Sequence, residues 1–285
     1  MPDAGKEVLL RTRILVLTLA TALLAALAIV PAAYALKVSV RAEGAASQVM
    51  PTSAITMSAQ RQAVTDTVGH SYTNTDVATA TAANALYWAT QQCGVTWDFG
   101  VSAYGLFINS IAGLAADPTT FVNWWEFTVN GFAPPLGAGS LPAMAGDSYV
   151  FFQNPDAGYP AHGGKLLVTR VSAAVVKKGH ALKITVLGDD LAKVNSAADA
   201  KRFGVTAIEK PAKFKAVDAA TLHVGNRVYA LTGSSLTIKN LPIGTFAIWT
   251  EKAMDANFVY ARSVKTTVRV VKQVKKTKQI KQAKR

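Results

Sequence analysis

The chain has 285 residues, half of them hydrophobic, which excludes global disorder and leaves material for two modest domains plus a leader and a tail. Its net charge of +13 is polarised: residues 1–35 carry +1, 36–164 carry −5, 165–261 carry +7, and 262–285 hold ten basic side chains and no acidic one. A single cysteine, Cys93, excludes an intrachain disulfide and reads as a free buried thiol.

Residues 1–35 read as an export signal. Lys6, Arg11 and Arg13 precede an uncharged apolar run from Ile14 to Val30. Pro31 then breaks the helix before Ala33-Tyr34-Ala35, an A-x-A cleavage pattern. A mature protein starting near Leu36 is expected. The alternative is an uncleaved anchor, for which a run of roughly 17 residues is short. Membrane contact is expected only through an uncleaved leader.

Leu36 to Ala42 alternates apolar and polar residues as a strand does, and Ala54-Ile55-Thr56-Met57 is a second strand candidate. Asp66 to Thr75 is polar and turn-rich. Thr75 or Asp76 is expected to cap a helix whose buried face repeats at Ala82, Leu86, Ala89 and Cys93, with Gly94 as its C′ stop. Trp97 to Ile111 reads as a strand interrupted by a bend at its glycines. Trp125, Phe127 and Val129 face one side of the next strand and Glu126 and Thr128 the other, with Asn130-Gly131 as a tight turn. Ser148 to Phe152 is the closing strand. One helix on a small mixed sheet is the economical architecture for residues 36–154.

Three ordered blocks in this region resemble the C-terminal domain of transcobalamin and intrinsic factor, with its bacterial exported relatives. They are Tyr104-Gly105-Leu106-Phe107-Ile108-Asn109-Ser110-Ile111, Trp124-Trp125-Glu126-Phe127-Thr128-Val129-Asn130-Gly131, and Gly146-Asp147-Ser148-Tyr149-Val150. The resemblance implies a β-grasp-like α+β fold and a corrinoid as a possible ligand. Where actinobacterial relatives often carry a cysteine pair, this chain has Tyr72 and Gly139. The vertebrate carriers also trap their ligand against a large helical domain, which is not expected here.

Residues 155–164 read as a Pro/Gly linker. Beyond it, short strands are expected at Leu166–Val171, Ala181–Leu187, Ala219–Val224, Ser235–Ile238, Thr245–Thr250 and Val264–Val271, the spacing of an all-β sandwich over residues 165–271. Ala219 to Lys252 resembles the prealbumin-like or carboxypeptidase-regulatory-like module, through Leu241-Pro242-Ile243-Gly244-Thr245-Phe246. The insertion from Asp189 to Lys213 has no assignment beyond a short helix at Ala197–Phe203.

No catalytic residues are expected: serines lack a nucleophile elbow, and no phosphate or dinucleotide loop is present. His70, His162, His180 and His223 lie in separate segments without metal-ligand spacing and read as structural or surface residues, so no metal and no cofactor are expected. Asp189-Asp190, after Gly188, reads as a solvated turn. Tyr104, Phe107, Trp124, Trp125 and Phe127 are the candidate ligand-binding aromatics. The basic stretch 272–285 reads as a disordered tail in which Lys272, Lys275, Lys276, Lys278, Lys281, Lys284 and Arg285 would bind anionic envelope polymers. Specific nucleic-acid binding is not expected of an exported chain. The expected function is an exported, non-enzymatic binding or adhesion module. A small-molecule carrier, most plausibly for a corrinoid, is the alternative.

Overall fold

Val38, Val40 and Ala42 turn inward from β1 (Ala35–Glu43) in the computed structural model, which describes residues 35–102, 105–117, 119–120, 122–155 and 163–273. The leader, Tyr104, His162, most of the linker and the tail beyond Gln273 lie outside the described residues. The molecule is mostly β, with several sheets and few helices.

In the amino-terminal half, β1 is followed by β2 (Gln48–Ser58), the short pair β3 (Val64–Thr65) and β4 (Ser71–Tyr72), and helix α1 (Ala82–Cys93). Then come β5 (Trp97–Ser102), β6 (Gly105–Ile111), β7 (Leu114–Ala115), β8 (Trp124–Val129) and β9 (Ser148–Asn154). β1 pairs with β2 antiparallel and with β9 parallel, giving a mixed sheet of order β2-β1-β9-β8. Ala82, Leu86 and Ala89 of α1 are fully buried in the core cluster that this sheet helps to form, and Cys93 is half-buried with Sγ 3.2 Å from Ser53 Oγ.

The helix starts later than the polar run suggests. Thr79 bridges to Gln60 and Thr81 to Pro142, which hold the preceding chain extended. Thr81 is the N-cap, and Asn84 Oδ1 accepts from its backbone N–H and its hydroxyl at 2.8 and 3.1 Å. Gly94 ends the helix at φ 63°, in the left-handed region. Trp97 to Ile111 is a hairpin rather than one bent strand: β5 and β6 pair from Trp97↔Ile111 to Ser102↔Gly105. The expected tight turn is present, with Asn130 and Gly131 at φ 53° and 73° and mutual 2.9 Å hydrogen bonds between Val129 and Phe132.

The carboxy-terminal half runs β10 (Gly163–Val171), β11 (Val175–Lys177), β12 (Leu182–Asp190), α2 (Ala197–Phe203), α3 (Lys210–Lys213), β13 (Phe214–Ala216), β14 (Thr221–Val224), β15 (Arg227–Ala230), β16 (Ser235–Ile238), β17 (Gly244–Glu251), β18 (Phe258–Ala261) and β19 (Thr266–Val271). Two five-stranded sheets form, one of order β13-β12-β10-β18 with β16 also on β12, the other of order β11-β19-β17-β14-β15. Leu167, Leu182, Ile184 and Val186 of the first and Leu222, Val224, Ile248, Val268 and Val270 of the second share one buried cluster. All six expected strands are present; β11, β13, β15 and β18, each four residues or shorter, were not anticipated. Gly163 and Gly164, read as linker, belong to β10 and pair with Phe258 and Val259.

The insertion between Asp189 and Lys213 docks the two halves. Asp189 is no solvated turn: it closes β12 at 7% exposure, and Lys213 Nζ lies 3.2 Å from its Oδ1. Asp190 is half-exposed and pairs with Lys193 at 3.3 Å. Lys213 also donates to the carbonyl oxygen of Gly131, 2.8 Å away in the other half. Burial pushes the Asp189 carboxyl up to about 6 even with Lys213 beside it. From α2, Phe203 lies 4.9 Å from the ring of Phe132, and Arg202 donates to Asp147 Oδ1 at 2.8 Å and to the carbonyl oxygen of Pro142. Val150 and Phe152 of β9 bury against Leu166, Leu191 and Ala261. β9 is therefore covered on both faces, which is why Tyr149 to Asn154 are all buried.

Candidate functional site

Asp66 folds the β3–β4 hairpin onto itself. Its Oδ1 accepts from the backbone N–H groups of Val68 and His70 at 3.1 and 2.8 Å, and its own N–H donates to the carbonyl of His70. Oδ2 takes the ring Nδ1 of His70 at 2.8 Å and the N–H of Phe99 at 3.4 Å. The Asp66 side chain is wholly shielded from solvent. Burial alone would raise its pKa; the hydrogen bonds from the backbone and ring of His70 and from Phe99 outweigh that, so the carboxyl sits below the usual range.

His70 stands at the surface, its side chain 63% exposed, with its ring edge-on to Phe99 at 6.3 Å. The hydrogen bond to Asp66 raises its pKa, and the charges of Asp66 and Asp98 add to this. Asp98 arrives from β5, at a register shift between Asp98 and Phe99 that bends the strand there. Asp98 Oδ2 accepts from the side-chain amide of Asn109 at 3.3 Å. Asp98 Oδ1 lies 3.5 Å from His70 Nδ1, is out of contact with solvent, and receives no hydrogen bond among the described residues. One ring nitrogen and two carboxylate oxygens thus lie within 4.8 Å of one another. The histidine spacings alone could not reveal this group. Its acids come from four residues before His70 and 28 after it, and only the β3–β4 and β5–β6 hairpins join them.

The five candidate aromatics do not form one surface. Trp125 is buried, with Nε1 donating to the carbonyl of Leu114 at 2.9 Å, and Phe127 stacks on Phe151 at 5.5 Å. Both are spent on the core, as the strand alternation requires. Trp124, half-exposed, is on the opposite face of β8, where the neighbouring Glu126 accepts from the side-chain amide of Asn154 at 2.6 Å. Phe107 alone of the four described aromatics is a free surface ring, half exposed on β6. It lies across Gly100, where an added Cβ would meet its Cζ at 2.3 Å, and Val101 beside it is exposed as well. Tyr104 is outside the described residues. Of the basic stretch, Lys272 is described and exposed; Lys275, Lys276, Lys278, Lys281, Lys284 and Arg285 lie outside. His180 is exposed on a turn, and His223 pairs with Glu251 at 3.0 Å while stacking on Trp249 at 3.7 Å.

A small cleft of about 60 Å³ opens where the halves meet, lined by Glu43, Gln153, Lys252 and Tyr260 among others. Glu43 is held beneath it by Arg41 at 2.9 Å and Arg262 at 3.7 Å, and its burial raises its pKa. Arg262 continues to Glu251 at 2.8 Å, so charge alternates along the junction.

Residues 80–153 match the model of the DUF4430 family, described as a domain of unknown function. That stretch runs from just before α1 into β9, includes Asp98, and leaves out Asp66, His70 and the first two strands of the mixed sheet. No curated protein matches the chain. Among solved structures, a protein from Ruminococcus gnavus ATCC 29149, named as a candidate metal-binding protein, is 18% identical; the match covers 44% of this chain and 99% of that one, at a TM-score of 0.28.

Proposed function

We propose that the chain is an exported, non-enzymatic binding module held at an anionic cell envelope by its carboxy-terminal half. In this reading the first half is a β-grasp-like domain related to the transcobalamin C-terminal domain, the second a sandwich that serves as a rigid bracket. One observation carries the proposal. In residues 163–273, twelve cations stand exposed: Arg170, Lys177, Lys178, Lys183, Lys201, Lys210, Lys215, Arg227, Lys239, Lys265, Arg269 and Lys272. Only two acids, Glu209 and Asp218, are equally exposed. The others are engaged, Asp189 with Lys213, Asp190 with Lys193, Asp199 with Asn130, Glu251 with Arg262, and Asp255 with Lys252. The surface is therefore positive before the basic tail is counted, and such a field concentrates polyanions. Corrinoid capture by the aromatic set is the weaker reading, because Trp125 and Phe127 are occupied by the core.

The test is retention of the untagged chain on a purified anionic wall polymer in the presence of EDTA, against a neutral polysaccharide. Retention should weaken steeply from about 0.15 M to about 1 M salt, as the Debye length falls from about 8 to about 3 Å. A chain ending at Val271 should keep part of it. Equal retention on the neutral polymer, or none on the anionic one, ends the proposal.

A further inference from the structure

We propose that Asp66, His70 and Asp98 form a binding site for one divalent transition-metal ion, with coordination positions open toward solvent. Hairpin geometry accounts for Asp66 and His70, whose mutual hydrogen bonds close the β3–β4 loop. It does not account for Asp98. The inner oxygen of Asp98 is withdrawn from water beside a second carboxylate and is offered no hydrogen bond among the described residues. Two carboxylates so placed favour a positive charge between them, which the protonated His70 ring supplies in part at 2.8 and 3.5 Å and which a metal ion held by the neutral ring would supply in full.

The spacing suits one ion. Donors each about 2.1 Å from a common metal stand roughly 3.0–3.4 Å apart, from octahedral to tetrahedral arrangement. His70 Nδ1 lies 2.8 Å from Asp66 Oδ2 and 3.5 Å from Asp98 Oδ1. The ion would take the place of the Nδ1 proton that now joins His70 to Asp66 Oδ2, with the imidazole proton on Nε2. The carboxylates are already positioned, Asp66 by its backbone donors and Asp98 by the amide of Asn109. One imidazole with two carboxylates favours Zn²⁺ or Mn²⁺ over Ca²⁺, which takes six to eight oxygens, and over Mg²⁺, which keeps its waters. Three protein donors leave room for water or for an oxygen of an external ligand.

The experiment uses the full, untagged chain, stripped with EDTA and titrated with Zn²⁺ and Mn²⁺, with Co²⁺ absorption reporting the nitrogen and oxygen donors. One ion per chain is expected. His70→Ala and Asp98→Asn should each raise the dissociation constant at least tenfold. Asp98→Asn should leave the metal-free melting temperature within about two degrees, because the asparagine amide oxygen can still accept from Asn109, whereas His70→Ala also removes the ring bonded to the buried Asp66 carboxylate and should lower it by several degrees. Asn109→Ala should weaken binding by about tenfold without changing the Co²⁺ band shape, as loss of an outer-shell partner does. Stoichiometric uptake that survives both His70→Ala and Asp98→Asn, or no saturable uptake up to millimolar ion, overturns the proposal. Since no polymer is present, this outcome is independent of envelope retention, which is measured in EDTA.

Discussion

The two faces of the β2-β1-β9-β8 sheet are built from the same strands to opposite rules. Toward α1, Val38, Val40, Tyr149 and Phe151 make an apolar contact of the kind that drives a fold. Toward the second half, Arg41, Glu43, Thr128 and Asn154 are buried beside Val150 and Phe152. Four of those six are polar or charged. The first face needs only to exclude water. The second covers polar groups and meets only part of their demand: Arg41 donates across to the carbonyl of Arg262 at 2.8 Å and Arg262 lies 3.7 Å from Glu43, while Arg41 Nε, Glu43 Oε2 and Thr128 Oγ1 are buried without a hydrogen bond among the described residues. A covered polar face marks a surface assembled by docking.

Breaking the apolar face should have the largest effect. Phe151→Ala removes a fully buried ring stacked on Phe127 and should cost about 3–5 kcal/mol in urea unfolding followed by tryptophan fluorescence. On the docking side, Lys213→Met deprives Asp189 of its cation and the Gly131 carbonyl of a donor. A loss of about 3 kcal/mol is expected, largely recovered in Lys213→Met/Asp189→Leu. If docking is the right description, the single variant should also split one unfolding transition into two.

A pH series sharpens the same contrast more gently. Asp189 titrates at about 6 in the folded chain, above the ordinary carboxylate value of 3.8, because burial disfavours its charge. Between those values the folded state holds a proton that the unfolded chain has released. Stability therefore falls as pH rises through the window. Relative to Asp189→Asn, the native chain should lose up to roughly 3 kcal/mol between pH 4 and pH 7, read as the difference in denaturation midpoints. The smallest effect belongs to Phe107→Ala: half exposed on a free sheet face, the ring should contribute less than about 1 kcal/mol.

What could be read in advance followed from local chemistry. Ala197–Phe203 was legible as a helix because Ser196 caps it and Gly204 stops it, and β16 because alternation and flanking turns bracket it. The double-sided burial of β9 was written in Tyr149-Val150-Phe151-Phe152, a continuous apolar run without alternation. Asp189 was misread because a glycine followed by two acids looks like a turn, while the lysine that neutralises it stands 24 residues on. The His70 group was hidden for the same reason: its members share no sequence period, and a bulge and two hairpins assemble them.

The parallel pairing of β1 with β9 joins Ser39 to Ser148, and β10 likewise waits for β18, Gly163 for Phe258. In each half the opening strand finds its parallel neighbour only after nearly a hundred or more residues have followed. Such distant closure makes folding slow. A ribosome would release most of each half before its sheet could be completed, leaving the nascent chain open for a long interval. Delay of that kind keeps a polypeptide threadable.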